Sequence, residues 1–102
     1  MNELIKEIIN EQLCGRKVDK ILLFGSRARN DFNILSDYDI LIILADEIQM
    51  NDRINLSTSI RKQFAEAGID ADIILKSRAE ADYYQNKTGS IVKAAMKEGV
   101  VL

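Results

Sequence analysis

The apolar residues of this chain change their spacing several times, and each change marks an element. Leu4, Ile5, Ile8, Ile9 and Leu13, with Gln12 on the same stripe, recur at helical intervals and predict an amphipathic helix. Asn2 is placed to cap its start and Gly15 to supply a left-handed residue at its end. From residue 18 the period is lost, and Ile21-Leu22-Leu23-Phe24 form an unbroken apolar run that stops at Gly25. Such a run predicts a strand, residues 18–24, buried on both faces. Residues 26–37 are polar, with Asn30, Asp31, Asn33 and Ser36 as turn formers and room for a short helix opening at Ser26. An Ile-rich second strand is expected over 38–44.

A second helical stripe runs through Leu56, Ile60, Phe64 and Ala67, with Asn51 as its expected cap and Gly68 as its stop. A third strand over 69–75 follows. Ser77-Arg78-Ala79-Glu80 has the form of a capping box and predicts another helix start. Ile91, Val92, Ala95 and Met96 carry a last helical stripe to Gly99, with Gly89 placed to break or bend the segment. Val100-Val101-Leu102 reads either as a short edge strand or as a packed tail. The order α-β-(α)-β-α-β-α predicts an α/β (α+β) domain, a small mixed β-sheet flanked by helices, filling residues 1–102 as one unit.

Composition adds exclusions. The chain has 102 residues, no proline and no histidine. Without an imidazole, Ser-His-Asp hydrolysis, Cys-His proteolysis and most zinc catalysis are ruled out. One cysteine, Cys14, allows neither an internal disulfide nor a zinc cluster. A formal net charge of −2 speaks against avid binding to free nucleic acid. No apolar run is long enough to span a bilayer, and charged residues interrupt the N-terminal segment, so the expected location is cytoplasmic. Chemistry, if present, falls to carboxylates, hydroxyls and basic groups.

Three features stand where a small sheet can gather them. Gly25-Ser26 lies at a strand-to-helix turn, where glycine permits close backbone approach and Ser26 offers a hydroxyl to a phosphate oxygen. The same dipeptide is also an ordinary tight turn. Asp37-Tyr38-Asp39 leads the Ile-rich strand, with the two carboxylates on one face, about 6–7 Å apart along the chain. Oxygen ligands on one rigid edge suit Mg²⁺, which fills its octahedron with water and phosphate oxygens. For Asp37 a solvated strand end is the plain alternative; Asp39, between Tyr38 and Ile40, fits that reading less well. Asp72 repeats the anomaly within the third apolar strand. Asp70 is its competitor two residues away, and an ordinary salt bridge is the alternative role for Asp72.

Taken in order, Leu23-Phe24-Gly25-Ser26-Arg27-Ala28-Arg29-Asn30-Asp31, then Ser36-Asp37-Tyr38-Asp39-Ile40-Leu41-Ile42, then Asp72 in a later strand, the chain resembles the nucleotidyltransferases of the DNA polymerase beta superfamily. It is most similar to their smallest branch, the minimal nucleotidyltransferases that serve as antitoxins to HEPN-domain toxins. The resemblance extends to the closing Glu98-Gly99-Val100-Val101-Leu102. It implies the nucleotidyltransferase fold, with Gly25 and Ser26 holding a triphosphate and Asp37, Asp39 and Asp72 binding two Mg²⁺ ions. Arg27 and Arg29 are candidates for neutralising phosphate charge, against the plainer reading of solvated arginines. Asn30 stands where such proteins often have glycine.

The implied reaction is transfer of AMP from ATP to a tyrosine hydroxyl of a HEPN-type toxin, silencing it. Asp72 would take the hydroxyl proton. Larger members of the superfamily carry a further domain that presents the acceptor, so here the partner is expected to bring the acceptor site. The competing reading is an antitoxin that masks its toxin by binding alone. Nucleotidylation of RNA or of a small molecule is disfavoured by the same lack of an acceptor domain and by the acidic balance of the chain.

Overall fold

A computed structural model describes residues 2–29 and 37–102, the side chains of Ser26 and Arg29 excepted. The elements run α1 (Asn2–Leu13), β1 (Val18–Phe24), α2 (Ser26–Arg29), β2 (Tyr38–Leu44), α3 (Met50–Glu66), β3 (Ala71–Ser77), α4 (Arg78–Tyr84), α5 (Ile91–Glu98) and β4 (Val100–Val101). The strands form one mixed sheet in the order β3-β2-β1-β4. β1 pairs antiparallel with both β2 and β4, whereas β2 and β3 are parallel, as a connection through a full helix requires.

The sheet sorts the apolar residues by alternation. Ile21, Leu23, Ile40, Ile42, Leu44, Ile73 and Leu75 pack with Ile5, Ile9 and Leu13 of α1 and Ile60 and Phe64 of α3. Their neighbours Leu22, Phe24, Leu41 and Ile43 face the other way, onto Ala81 of α4 and Val92 and Ala95 of α5. Residues 40–44 are therefore buried on both sides, and the unbroken run follows from a central strand in a helix–sheet–helix sandwich. The mixed sheet flanked by helices is the class the sequence predicted.

Several boundaries differ from the sequence reading, each for a physical reason. Asn51 lies inside α3; the N-cap is Gln49, whose side chain makes no capping bond. β3 spans Ala71–Ser77 and not 69–75, because the Ile69 amide closes α3 by donating to Phe64 O at 2.8 Å. At its far end Lys76 and Ser77 pair in register with Ile43 and Leu44. The first helix ends through two left-handed residues, Cys14 as well as Gly15. Of the two readings for the C-terminal residues, the short strand holds. Among the described residues no helix is long and apolar enough to cross a membrane.

The junction between β3 and α4 is the capping box expected at Ser77-Arg78-Ala79-Glu80. Ser77 N–H donates to Glu80 Oε1 at 3.0 Å, and Glu80 N–H donates to Ser77 Oγ at 3.2 Å. Glu80 also accepts both terminal nitrogens of Arg53, at 3.0 and 2.7 Å, which ties α3 to this corner. Burial alone would raise the Glu80 pKa. The Arg53 guanidinium and the Ser77 amide outweigh it and hold the carboxyl below its ordinary value. Its stabilisation is therefore complete above the ordinary carboxylate range and is lost as pH falls through the lowered folded value. Glu80→Gln should destabilise the protein by about 1–3 kcal/mol at pH 7. The gap between variant and parent in thermal melts should close as pH falls below the ordinary carboxylate range.

Candidate active site at the β1–β2–β3 edge

The strand register assembles the site. Phe24 of β1 pairs with Asp39 of β2, and Asp39 pairs with Asp72 of β3. The two carboxylates thus stand side by side on adjacent strands, which lie about 4.8 Å apart. Alternation puts both on the Leu41 and Ile43 face, the side covered by α4 and α5. Asp39 is half-buried and Asp72 exposed. Asp37, also exposed, precedes Asp39 by one strand repeat. Asp70 lies outside the ladder, where its carbonyl accepts from Tyr38 N–H at 2.9 Å, while Asp72 is level with Asp39. Among the described residues, no three carboxylates draw together into a closed metal cage.

Gly25 sits against this row and has no substitute there. Its φ of +74° is a conformation L side chains rarely adopt, and a Cβ would fall on Asp39 Oδ2. The Asp39 carboxylate therefore lies directly over the glycine backbone, at the turn that opens α2 through Ala28 N–H to Gly25 O at 3.1 Å.

A residue that motif reading missed completes the turn. Glu98, the last residue of α5, accepts from Gly25 N–H at 3.3 Å, across 73 residues of sequence. It reaches there because Gly99 follows it. A Cβ on Gly99 would collide with Ala95 O and touch Leu22 Cβ, so only glycine brings the end of α5 this close to β1. The sequence marked Glu98-Gly99 as a helix stop and as part of the closing segment of the resemblance, and neither says anything of Gly25. Glu98→Ala should loosen the turn, seen as faster hydrogen exchange at Gly25 with a melting temperature lowered by no more than a few degrees.

The basic candidates are placed unequally. The Arg27 guanidinium stacks over the Tyr38 ring, 4.3 Å from its centre. Tyr38 packs with the α1/α3 core, on the side of β2 opposite to Asp39. Arg27 therefore has a structural contact at the turn. Ser26 and Arg29 belong to α2, and their side chains lie outside what the structure describes, as do Asn30 and the turn formers through Ser36.

The donors present suit Mg²⁺ better than any softer ion. They are carboxylate oxygens on a rigid edge, open on one side. Mg²⁺ seldom occupies an all-protein cage; it takes one or two carboxylates and fills its remaining positions with water and phosphate oxygens. The Asp39–Asp72 pair, with Asp37 beside it, meets that description without a closed triad. The Asp39 carboxylate itself takes the space where a side chain at Gly25 would stand, which fixes the carboxylate against the turn.

Comparison with known proteins gives this geometry a context. The model of the polymerase beta nucleotidyltransferase family matches residues 3–102. None of the curated proteins matches the sequence. Among solved structures, a candidate nucleotidyltransferase from Sulfolobus solfataricus superposes with a TM-score of 0.65 at 26% identity, covering 99% of this chain and 78% of that one. A toxin–antitoxin structure with AMP-PNP gives 0.59 at 20% identity, over 94% and 70% of the two chains. The tri-AMPylated HEPN toxin of Shewanella oneidensis in complex with its MNT antitoxin gives 0.52 at 20% identity, over 98% and 66%. At that identity the last two establish likeness of fold.

Proposed function

The chain belongs to the polymerase beta nucleotidyltransferase family, and on that premise we propose that it transfers AMP from ATP to a tyrosine hydroxyl of a HEPN-type partner toxin and so neutralises it. The observation that carries the proposal is the row Phe24–Asp39–Asp72 with Gly25 folded beneath Asp39. A pair of carboxylates level with each other on adjacent strands, at an open edge, is the donor set that Mg²⁺ takes. A masking protein has no need of it. The solved relatives that hold AMP-PNP or sit beside an AMPylated HEPN toxin point to the same donor and acceptor.

In this reading Asp37, Asp39 and Asp72 hold Mg²⁺, two ions by family expectation. When bound, the metal supplies Lewis-acid stabilisation of the charge on the triphosphate. Gly25 and Ser26 receive the phosphates at the turn, and Glu98 sets that turn's position through the Gly25 amide. The acceptor oxygen attacks the α-phosphorus, the bond to the bridging oxygen breaks, and pyrophosphate leaves. Asp72, on the exposed side of the row, accepts the hydroxyl proton. The acceptor approaches over that open side, which the partner covers.

Masking without catalysis is the alternative, and nucleotide binding separates the two. Calorimetric titration of ATP with Mg²⁺ should give binding that Asp37→Ala/Asp39→Ala abolishes. If the parent binds no nucleotide while still inhibiting its toxin, masking is the function.

A further inference from the structure

We propose a second binding site on this chain: the free edge of β3, which takes an acidic, extended segment of a partner protein as an added strand. β3 is the outer strand of the sheet, and its open side forms one wall of a groove of about 330 Å³ whose other wall is α3. The parallel ladder turns the backbone groups of alternate residues outward. Because Asp70 O accepts from Tyr38, the even-numbered residues of β3 bond to β2 and the odd-numbered ones face the groove.

Two of those outward groups already have partners. Ile73 C=O accepts from the Arg61 guanidinium at 3.1 Å, and Ser77 N–H is held by Glu80. The N–H of Ile73 and both groups of Leu75 face the groove and are the ones that an incoming backbone would use. An added strand there extends over residues 73–76, about 13 Å at 3.3 Å per residue.

Charge selects the occupant. Arg53, Arg61 and Lys76 line the groove, with the hydroxyls of Ser57 and Thr58 between them, and among the described residues no carboxylate lines it. Arg53 is neutralised by Glu80, but among the described residues neither Arg61 nor Lys76 pairs with a carboxylate. Arg61 stands on the α3 side of the sheet. Lys76 stands on the other, above the Tyr84 ring at 5.3 Å. The side chains of an added strand alternate between these two sides and meet a cation on each. The fitting segment is therefore acidic at successive positions, and a cationic strand is repelled.

The test uses the isotope-labelled full chain and a blocked hexapeptide with Glu and Asp at its two central, successive positions and Val on either side. Amide shifts and slowed hydrogen exchange should centre on Ile73 and Leu75. Replacing the acids of the peptide by Lys, methylating its backbone nitrogens, or reversing charge with Arg61→Glu/Lys76→Glu should each weaken binding at least tenfold. The two peptide arms act on the unaltered protein, so they decide the matter even if the double variant is poorly folded. The proposal is overturned if millimolar peptide leaves the β3 amides unmoved, or if the Lys peptide binds equally well. It is also overturned if the same amides become protected with protein concentration alone, since the occupant is then a second copy. None of these outcomes depends on nucleotide transfer.

Discussion

Asp39→Asn should abolish AMP transfer while leaving the fold intact. Asn keeps the size of the side chain above Gly25 but removes the charge that, in the proposed function, would hold a metal next to Asp72. Loss of a metal-holding carboxylate should exceed the 10–100-fold typical of residues that merely orient ligands, so a fall of more than about 100-fold in turnover is expected. Thermal melting should still show a single cooperative transition, since Asn keeps the volume of the side chain. Assayed together, transfer and thermal melting distinguish a chemical role for Asp39 from a structural one.

Gly25→Ala should be the most damaging single methyl group in the chain. It asks an L residue for a φ of +74°, at about 1–2 kcal/mol, and drives a Cβ into the Asp39 carboxylate, an overpacking cost of roughly 1–3 kcal/mol. Together these should lower stability by about 2–5 kcal/mol, a large part of the total for a domain of this size. Denaturant unfolding should show the midpoint shift. Activity should fall further than the folded fraction does, because Asp39 must move aside for the methyl to fit. Gly15 has a similar φ, but a Cβ there would meet nothing within 4 Å, so Gly15→Ala carries only the backbone cost.

The contrast between these two glycines shows what the sequence could reveal. Both looked like turn residues; only three-dimensional contact separates the one beneath Asp39 from the one in open space. β1 and β2 were legible to the residue because each ends in an unbroken apolar run, Ile21-Leu22-Leu23-Phe24 and Ile40-Leu41-Ile42-Ile43-Leu44, that is buried on both faces. Asp72 stood out as an acid in an apolar strand, but its place level with Asp39 comes from the β2–β3 register, which no local pattern encodes. Glu98 was invisible for the same reason on a larger scale. Its contact with Gly25 depends on how α5 returns along β1, a matter of packing between distant segments. Arg27 read either as a candidate for neutralising phosphate charge or as a solvated arginine; its stacking on Tyr38 follows from the alternation that sends Tyr38 and Asp39 to opposite faces.

The central claim is that AMP is moved onto a partner protein, and intact-mass spectrometry of that partner tests it most directly. The HEPN-type toxin would be incubated with this protein, ATP and Mg²⁺, beside a parallel reaction with Asp37→Ala/Asp39→Ala. Added mass in whole multiples of one AMP is the expected result, absent with the double variant. An unchanged toxin mass, with the toxin inhibited equally by parent and double variant, would contradict the claim and leave a protein that acts by binding alone.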